Sequence, residues 1–296
     1  MGFVAQEATI SSLRAGDELR GVFACVRKDR LKTRTGSSYL ALELRDRTGT
    51  VPARAFRDAD ALAGRFERGD LVQVVGIVER FRDELVVEVS DIRAAGKDDE
   101  RAAPEAFLPV AYRDMEELDG FLEHLASEVY DPAYKALLDS LLVDQDLRAA
   151  WRRAPCSRAG HHAYLGGLIE HTVAVATLAR EVTELHRKLN SDLLLTAAIV
   201  HDIGRCFEFT FGAEIGLTEE GRVLGHLVLG QRLLEPRFAA AGVDETRGLA
   251  LLHCVLAHHG ASAAPGGKFL SAEALALYRV NALDAAVKGV LEHGLD

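Results

Sequence analysis

The feature that most constrains this chain is a change of hydrophobic period near residue 95. Before it, short runs alternate apolar and polar residues, the period of a half-buried strand. Leu19–Val26, Ser38–Leu44, Val51–Phe56, Leu71–Val78 and Leu85–Val89 predict five strands. Gly36, Asp46–Gly49, Gly69–Asp70 and Arg82–Asp83 supply turns between them, and Ala59–Phe66 predicts a short helix between the third and fourth. From Asp114 onward apolar residues recur every three to four positions, the period of a helix with one buried face. Met115–Val129, Pro132–Leu142, Leu165–Leu189, Asp192–His201, Leu224–Leu234, Glu245–His258 and Ala272–Leu291 predict helices.

Two periods in separate halves predict a multidomain α and β protein. Its N-terminal part, residues 1–95, reads as a five-stranded OB-type β-barrel, with a two-sheet sandwich as the alternative. Residues 96–113 are charged and small with two prolines, Pro104 and Pro109, and read as a linker. Residues 114–296 read as an all-α domain. A length of 296 residues and 48% hydrophobic content suit two cores and exclude a disordered chain.

A formal net charge of −10 excludes a generally basic nucleic-acid coat, but not a local basic surface. Arg20, Arg27, Lys28, Arg30, Lys32 and Arg34 form such a surface at the first strand and the loop after it, against the single acid Asp29. OB-type barrels receive oligonucleotides there, and Phe23, Tyr39, Phe56 and Phe81 are candidate stacking platforms for bases. The chain has no run of about 18 apolar residues, so no membrane span is expected. Its N-terminus lacks the layout of a signal peptide. The four cysteines form no CxxC pair; reduced thiols in a cytoplasmic protein are the expectation.

Chemistry concentrates in the helical half, which holds most of the eleven histidines. His171 lies in GGLIEHTVAVA, His201-Asp202 in AAIVHDIGR, His226 in GRVLGHLVL and His258-His259 in CVLAHHG. Each sits in an apolar segment, beside a glycine or at a helix end. A buried imidazole or carboxylate needs a partner there, and one shared cation satisfies all of them. Imidazoles and a carboxylate suit Mn, Fe, Zn, Co or Ni, and the two oxygens of Asp202 can serve two ions. His124, His186, His253 and His293 read as ordinary core histidines.

The order His…His-Asp…His…His-His…Asp resembles the HD-domain metal-dependent phosphohydrolases. More closely, HHAYLGGLIEHTVAVA, LTAAIVHDIGR, LTEEGRVLGH, VLAHHG and EALALYRVNALDA resemble the matching blocks of the YhaM-type 3′→5′ exoribonucleases, which join an OB-fold to an HD domain. The resemblance implies that residues 114–296 are an HD domain. It implies His171, His201, Asp202, His226, His258 and His259 as metal ligands, with Asn281 standing where the family has its last aspartate. Asn281 is expected to weaken one metal position; Asp284, one turn on, is the substitute if the helix allows it. Catalytic roles are implied for Asp202, for His161 or His162 as proton donor or phosphate contact, and for Arg205, which replaces a lysine, as a phosphate fork. Lys268 lies in a loop that departs from the family's proline-rich segment. The implied activity is metal-dependent 3′→5′ hydrolysis of single-stranded RNA, or also single-stranded DNA, to nucleoside monophosphates. One or two divalent ions serve it, Mn foremost, and Fe, Co, Ni, Zn or Mg are the alternatives. The implied assembly is a homo-oligomer. Other readings are an HD-type nucleotide phosphohydrolase or cyclic-nucleotide phosphodiesterase, and a nucleic-acid-binding protein with a degenerate HD site.

Overall fold

The structure, a computed structural model, describes residues 9–96 and 107–295, so most of the expected linker lies outside the described residues. The chain divides into two compact units, Met1–Pro109 with Phe211–Gly216, and Val110–Thr210 with Leu217–Asp296.

The first unit is a closed barrel in the order β1-β2-β3-β5-β4, which overturns the sandwich alternative. Strands β1 (Glu18–Lys32), β2 (Ser38–Asp46) and β3 (Gly49–Ala55) form an antiparallel meander. Helix α1 (Ala59–Ala63) leads to β4 (Leu71–Phe81) and β5 (Glu84–Ala94). The β4–β5 hairpin turns through Arg82 and Asp83, both at positive φ, the backbone that matches strand twist in a two-residue turn. Pairing of β1 with β4 and of β3 with β5 closes the barrel around Leu19, Leu40, Leu44, Val74 and Ile92. Strand β1 runs six residues beyond the expected Val26, past a bulge between Cys25 and Arg27. The extension is charged and carries no apolar alternation. Register with β2, not burial, holds it.

The second unit is built from α2 (Met115–Ser127), α3 (Pro132–Leu142), α4 (Gln145–Arg153), α5 (Gly167–Leu185), α6 (Ser191–Val200), α7 (Arg205–Glu208), α8 (Glu219–Ala241), α9 (Glu245–Ala257) and α10 (Ala272–His293). A short hairpin, β6 (Phe209–Phe211) and β7 (Ile215–Leu217), is inserted after α7. Asp114, Asp131, Asp144, Asn190, Thr218, Asp244 and Ser271 cap helix N-termini with their side-chain oxygens, each satisfying free backbone N–H groups. Helix α4 was not expected from the sequence; its buried Leu147 and Trp151 are one turn apart. Helix α8 starts five residues before the expected Leu224 and breaks at Gly225, whose φ of 67° is open to glycine without strain.

Helix α6 is buried from Leu193 to Val200. It is apolar on every face, so it forms the axis of the unit and delivers its C-terminal His201-Asp202 into the interior. Helices α5, α9 and α10 pack around it.

Candidate functional site

Asp202 is the centre of the site. It is 2% exposed, and its two carboxylate oxygens face two different histidine sets. Oδ2 lies 3.9 Å from His171 Nε2 and 3.7 Å from His201 Nε2. Oδ1 lies 3.3 Å from His226 Nε2 and 3.3 Å from His258 Nε2. His259, at the surface, brings its Nε2 to 2.9 Å from that of His226. Four groups among the described residues have ligand-like spacing, and Asp202 belongs to two of them, His171–His201–Asp202 and Asp202–His226–His258–His259.

The far nitrogen of each inner histidine is committed. His201 Nδ1 donates to Ala198 O at 2.8 Å and His258 Nδ1 to Val255 O at 2.6 Å, so each leaves a bare Nε2 toward Asp202. His171 Nδ1 meets Asp284 Oδ2 at 2.6 Å. Such outer partners fix the tautomer and ring orientation of a metal-binding histidine. His171 Nε2 and His201 Nε2 then stand 3.2 Å apart. Two lone pairs cannot face each other at that distance without a proton or a cation between them. His258 Nε2 and Asp202 Oδ1 are buried with no hydrogen-bond partner among the described residues. Buried polar atoms without partners are rare, and an ion is one of the few things that explains them. Donors sharing a cation at about 2.0–2.2 Å stand about 3–3.5 Å apart, so the set fits a divalent metal.

The charges agree with this. Burial alone would raise the Asp202 carboxyl, but Arg205 and the facing histidines hold its pKa well below the ordinary value. Burial, with help from His258 and His171, drives His201 well below its ordinary value and keeps it neutral. Burial disfavours charge on His171, while the hydrogen bond to Asp284 and the nearby Asp202 carboxylate favour it and raise its pKa above the ordinary value.

Glycines explain why the motifs are spaced as they are. Gly204 follows the His-Asp pair by two residues, and a Cβ there would run into the His226 carbonyl. A Cβ on Gly167 would run into the carbonyl of His162, so the Gly-Gly pair lets α5 start against that loop. Gly166, at φ 80°, supplies the turn.

Several expected roles change. The guanidinium of Arg205, expected as a phosphate fork, turns inward. Its Nε donates to Asp202 Oδ2 at 2.7 Å and a terminal nitrogen to Glu208 at 3.2 Å, so the guanidinium backs the centre. His162, buried at φ 50°, has both ring nitrogens engaged, by Tyr164 Oη at 2.9 Å and Asp284 Oδ2 at 3.0 Å. It steadies Asp284. Asp284 accepts from both His162 and His171 through Oδ2 and orients them, and with them it forms a further group of ligand-like spacing. Asn281, 8% exposed, turns its amide nitrogen to the His258 carbonyl at 3.4 Å. His161 keeps the pocket position: its ring is 5.1 Å from that of His171, and its Nδ1 is buried without a partner. Burial first, then His171 and His162, push its pKa down to about 4. Of the four supposed core histidines, His124, His186 and His293 are exposed and His253 is half-buried. Lys268 is exposed.

Sequence reasoning missed Glu208. Its carboxylate accepts from the His226 backbone N–H at 3.1 Å and faces His226 Nδ1 at 3.4 Å, tying that ligand to Arg205. The Gly225 break frees that N–H from the helix. A carboxylate flanked by Cys206, Phe207 and Phe209 was the available signal.

On the barrel, Tyr39 and Phe56 stack with ring centroids 5.1 Å apart, and Phe56 is 46% exposed. Arg54, Phe56, Glu79, Phe81, Val86 and Glu88 line a shallow cleft, with the Arg54 guanidinium 4.4 Å from the Phe81 ring centre. Phe23, a supposed platform, is in the barrel core instead. Lys28 is also withdrawn: its ammonium bonds to the carbonyls of Ala63, at 2.8 Å, and Phe66, and to Glu67, so it anchors the end of α1. Arg27 pairs with Asp29 and Arg30 with Asp60 in exposed ion pairs of little energetic weight, while Lys32 and Arg34 are exposed.

Barrel and helical unit together define a protein that couples an OB-fold to an HD domain. The family model for an OB-fold nucleic acid binding domain matches residues 22–95 and that for the HD domain residues 168–286. Over most of its length the chain is similar to proteins named 3′-5′ exoribonuclease YhaM. That of Bacillus velezensis is 26% identical over 225 residues, which are 76% of this chain and 71% of the relative. That of Listeria welshimeri is 25% identical over 262 residues, 87% of this chain and 83% of the relative.

Proposed function

We propose that this chain is a metal-dependent 3′→5′ exonuclease that hydrolyses single-stranded RNA, and also single-stranded DNA, to nucleoside monophosphates in the cytoplasm. The observation that carries the reading is the buried Asp202 carboxylate divided between two histidine sets, His171 with His201 and His226 with His258. The similarity to YhaM exoribonucleases supports the substrate class.

His171, His201 and Asp202 would hold one divalent cation, and Asp202, His226, His258 and His259 a second. Mn is the first choice, with Fe, Co, Ni, Zn and Mg as alternatives. When bound, such cations supply Lewis acidity toward a phosphoryl oxygen and an activated water. The protein's own part is positional. Arg205 and Glu208 hold Asp202 and His226 in place, and Asp284 with His162 holds His171. Burial lowers the pKa of His161 to about 4, which suits a hydrogen bond to the scissile phosphate. On the barrel, Tyr39, Phe56 and Phe81 stack bases, and Arg27, Arg30, Lys32 and Arg34 meet phosphates without reading sequence. No helix of the described residues is long and apolar enough to cross a membrane.

The test is a 5′-labelled single-stranded RNA incubated with the protein and Mn²⁺. A ladder shortening from the 3′ end is expected, abolished in Asp202→Ala with RNA affinity kept within a few-fold. Hydrolysis of mononucleotides or cyclic nucleotides with RNA left intact would replace this reading with a nucleotide phosphohydrolase. Binding without cleavage at every metal tried would make the centre a degenerate one.

A further inference from the structure

Cys156 stands outside the histidine and aspartate motifs, yet it faces the same pocket. It is fully buried, and its Sγ lies 3.6 Å from Asp202 Oδ2. Its sulfur and one ring nitrogen each of His161 and His171 all lie within 4.8 Å of one another. The loop after α4 places it firmly. Cys156 N–H donates to His162 O at 3.0 Å, while Ser157 Oγ bonds to His161 O at 2.7 Å and receives Gly160 N–H at 2.9 Å. Cys206 and Cys254, by contrast, pack within the apolar core of the helical unit.

The first subsite is short of charge. His171 and His201 contribute neutral imidazoles to a cation, and the single negative charge of Asp202 is divided between two subsites. Asn281 adds none, and its amide nitrogen is spent on the His258 carbonyl. The Cys156 thiol, aimed at Asp202 Oδ2 and grouped with His161 and His171, is placed to supply a second anion there. We propose that Cys156 is a thiolate ligand of the first subsite. It completes the subsite with His171, His201 and Asp202 and tunes it to a borderline-soft divalent cation of the zinc, cobalt or ferrous class. Without a cation the S–H points at Asp202 Oδ2; on binding, that proton leaves to solvent and sulfur takes the cation instead. Thiolate donors favour such ions over manganese and magnesium, which the nitrogen- and oxygen-lined second subsite still accepts. The inference rests on the metal-centre reading above.

Metal-free full-length protein is titrated with Co²⁺ and followed by absorption. Wild type is expected to show a near-ultraviolet thiolate-to-cobalt charge-transfer band together with the visible ligand-field bands. Cys156→Ser loses the first and keeps the second. Zinc affinity falls by about tenfold or more in Cys156→Ser, the scale of losing a tuning contact at a metal site. Manganese affinity changes by less than about threefold, a split that general damage to the pocket would not produce. A variant carrying Cys25→Ser, Cys206→Ser and Cys254→Ser together retains the band, which keeps the test valid if Cys156→Ser fails to fold. Ligand-field bands without charge transfer in wild type overturn the proposal and leave the metal centre standing. So does a charge-transfer band that survives in Cys156→Ser. Failure of wild type to bind any cobalt by elemental analysis overturns the metal centre and the proposal together.

Discussion

Replacing Asp284 by asparagine changes one charge and almost no volume. Asp284 Oδ2 accepts from His171 Nδ1 at 2.6 Å and from His162 Nε2 at 3.0 Å. An amide oxygen can keep both contacts but loses the charge that strengthens them. Hydrogen bonds to charged groups contribute about 1.5–3 kcal/mol and neutral ones about 1, so the two contacts together lose roughly 1–4 kcal/mol. Part of this appears as weaker electron donation by His171. The expected outcome is a fall of about 10–100-fold in metal affinity, equivalent to about 1.4–2.7 kcal/mol. Titration calorimetry of the metal-free protein with Mn²⁺ measures it. Activity at saturating metal should change far less than affinity, because Asp284 acts through the orientation of His171. A second readout is acid stability. Burial would raise the Asp284 carboxyl, but the bonds from His162 and His171 hold it well below its ordinary value. The stability it contributes is therefore present above the unfolded pKa of about 3.9 and lost as pH falls below it. Metal-free Asp284→Asn should lose less stability than wild type between about pH 5 and pH 2. Metal affinity within twofold of wild type would refute the claim that Asp284 orients His171.

Three further outcomes follow from the same geometry. Lys28→Met should cost about 2–3 kcal/mol in denaturant unfolding, because it strips charged hydrogen bonds from the end of α1, while RNA affinity stays within about twofold; a large affinity loss in a stably folded variant would return Lys28 to the binding surface. His161 has its pKa lowered to about 4, so the unfolded chain binds a proton that the folded chain refuses. Metal-free wild type should thus lose stability as pH drops from about 6.5 to about 4, and His161→Gln should lose less, measured by thermal unfolding across that window. Gly204→Ala drives a methyl into the His226 carbonyl and should cost about 3 kcal/mol along with binding at the second subsite; a normal melting temperature would count against this close approach.

The barrel and the ligand set were legible because each leaves a local trace. Alternation marked β2 to β5, and ligand-type residues within apolar helical segments marked His171, His201-Asp202, His226 and His258. What was not legible depends on partners distant in sequence. Lys28 reads as a basic surface residue until the carbonyls of Ala63 and Phe66 come round to meet it. Asp284 reads as a spare ligand until His162 and His171, more than 110 residues earlier, are seen on one of its oxygens. Arg205 and Glu208 are three residues apart and on one helical turn, a pattern indistinguishable in sequence from a surface ion pair. Only burial of Asp202 beneath them gives the pair its meaning.

The barrel's seam is narrow. Closure between β3 and β5 rests on the pairing of Ala53 with Val87 and Arg54 with Glu88, against ten residue pairs between β4 and β5. Backbone amides at this seam are the first in the barrel expected to exchange with deuterium, since local opening there disrupts the least structure. Arg54 and Glu88 also line the aromatic cleft with Phe56 and Phe81. A strand lying across that cleft would touch both lips of the seam. By mass action it favours the closed form, so occupancy of the cleft and slow exchange at Ala53 and Val87 should rise together. The barrel would then report its own ligand through the rate at which it breathes.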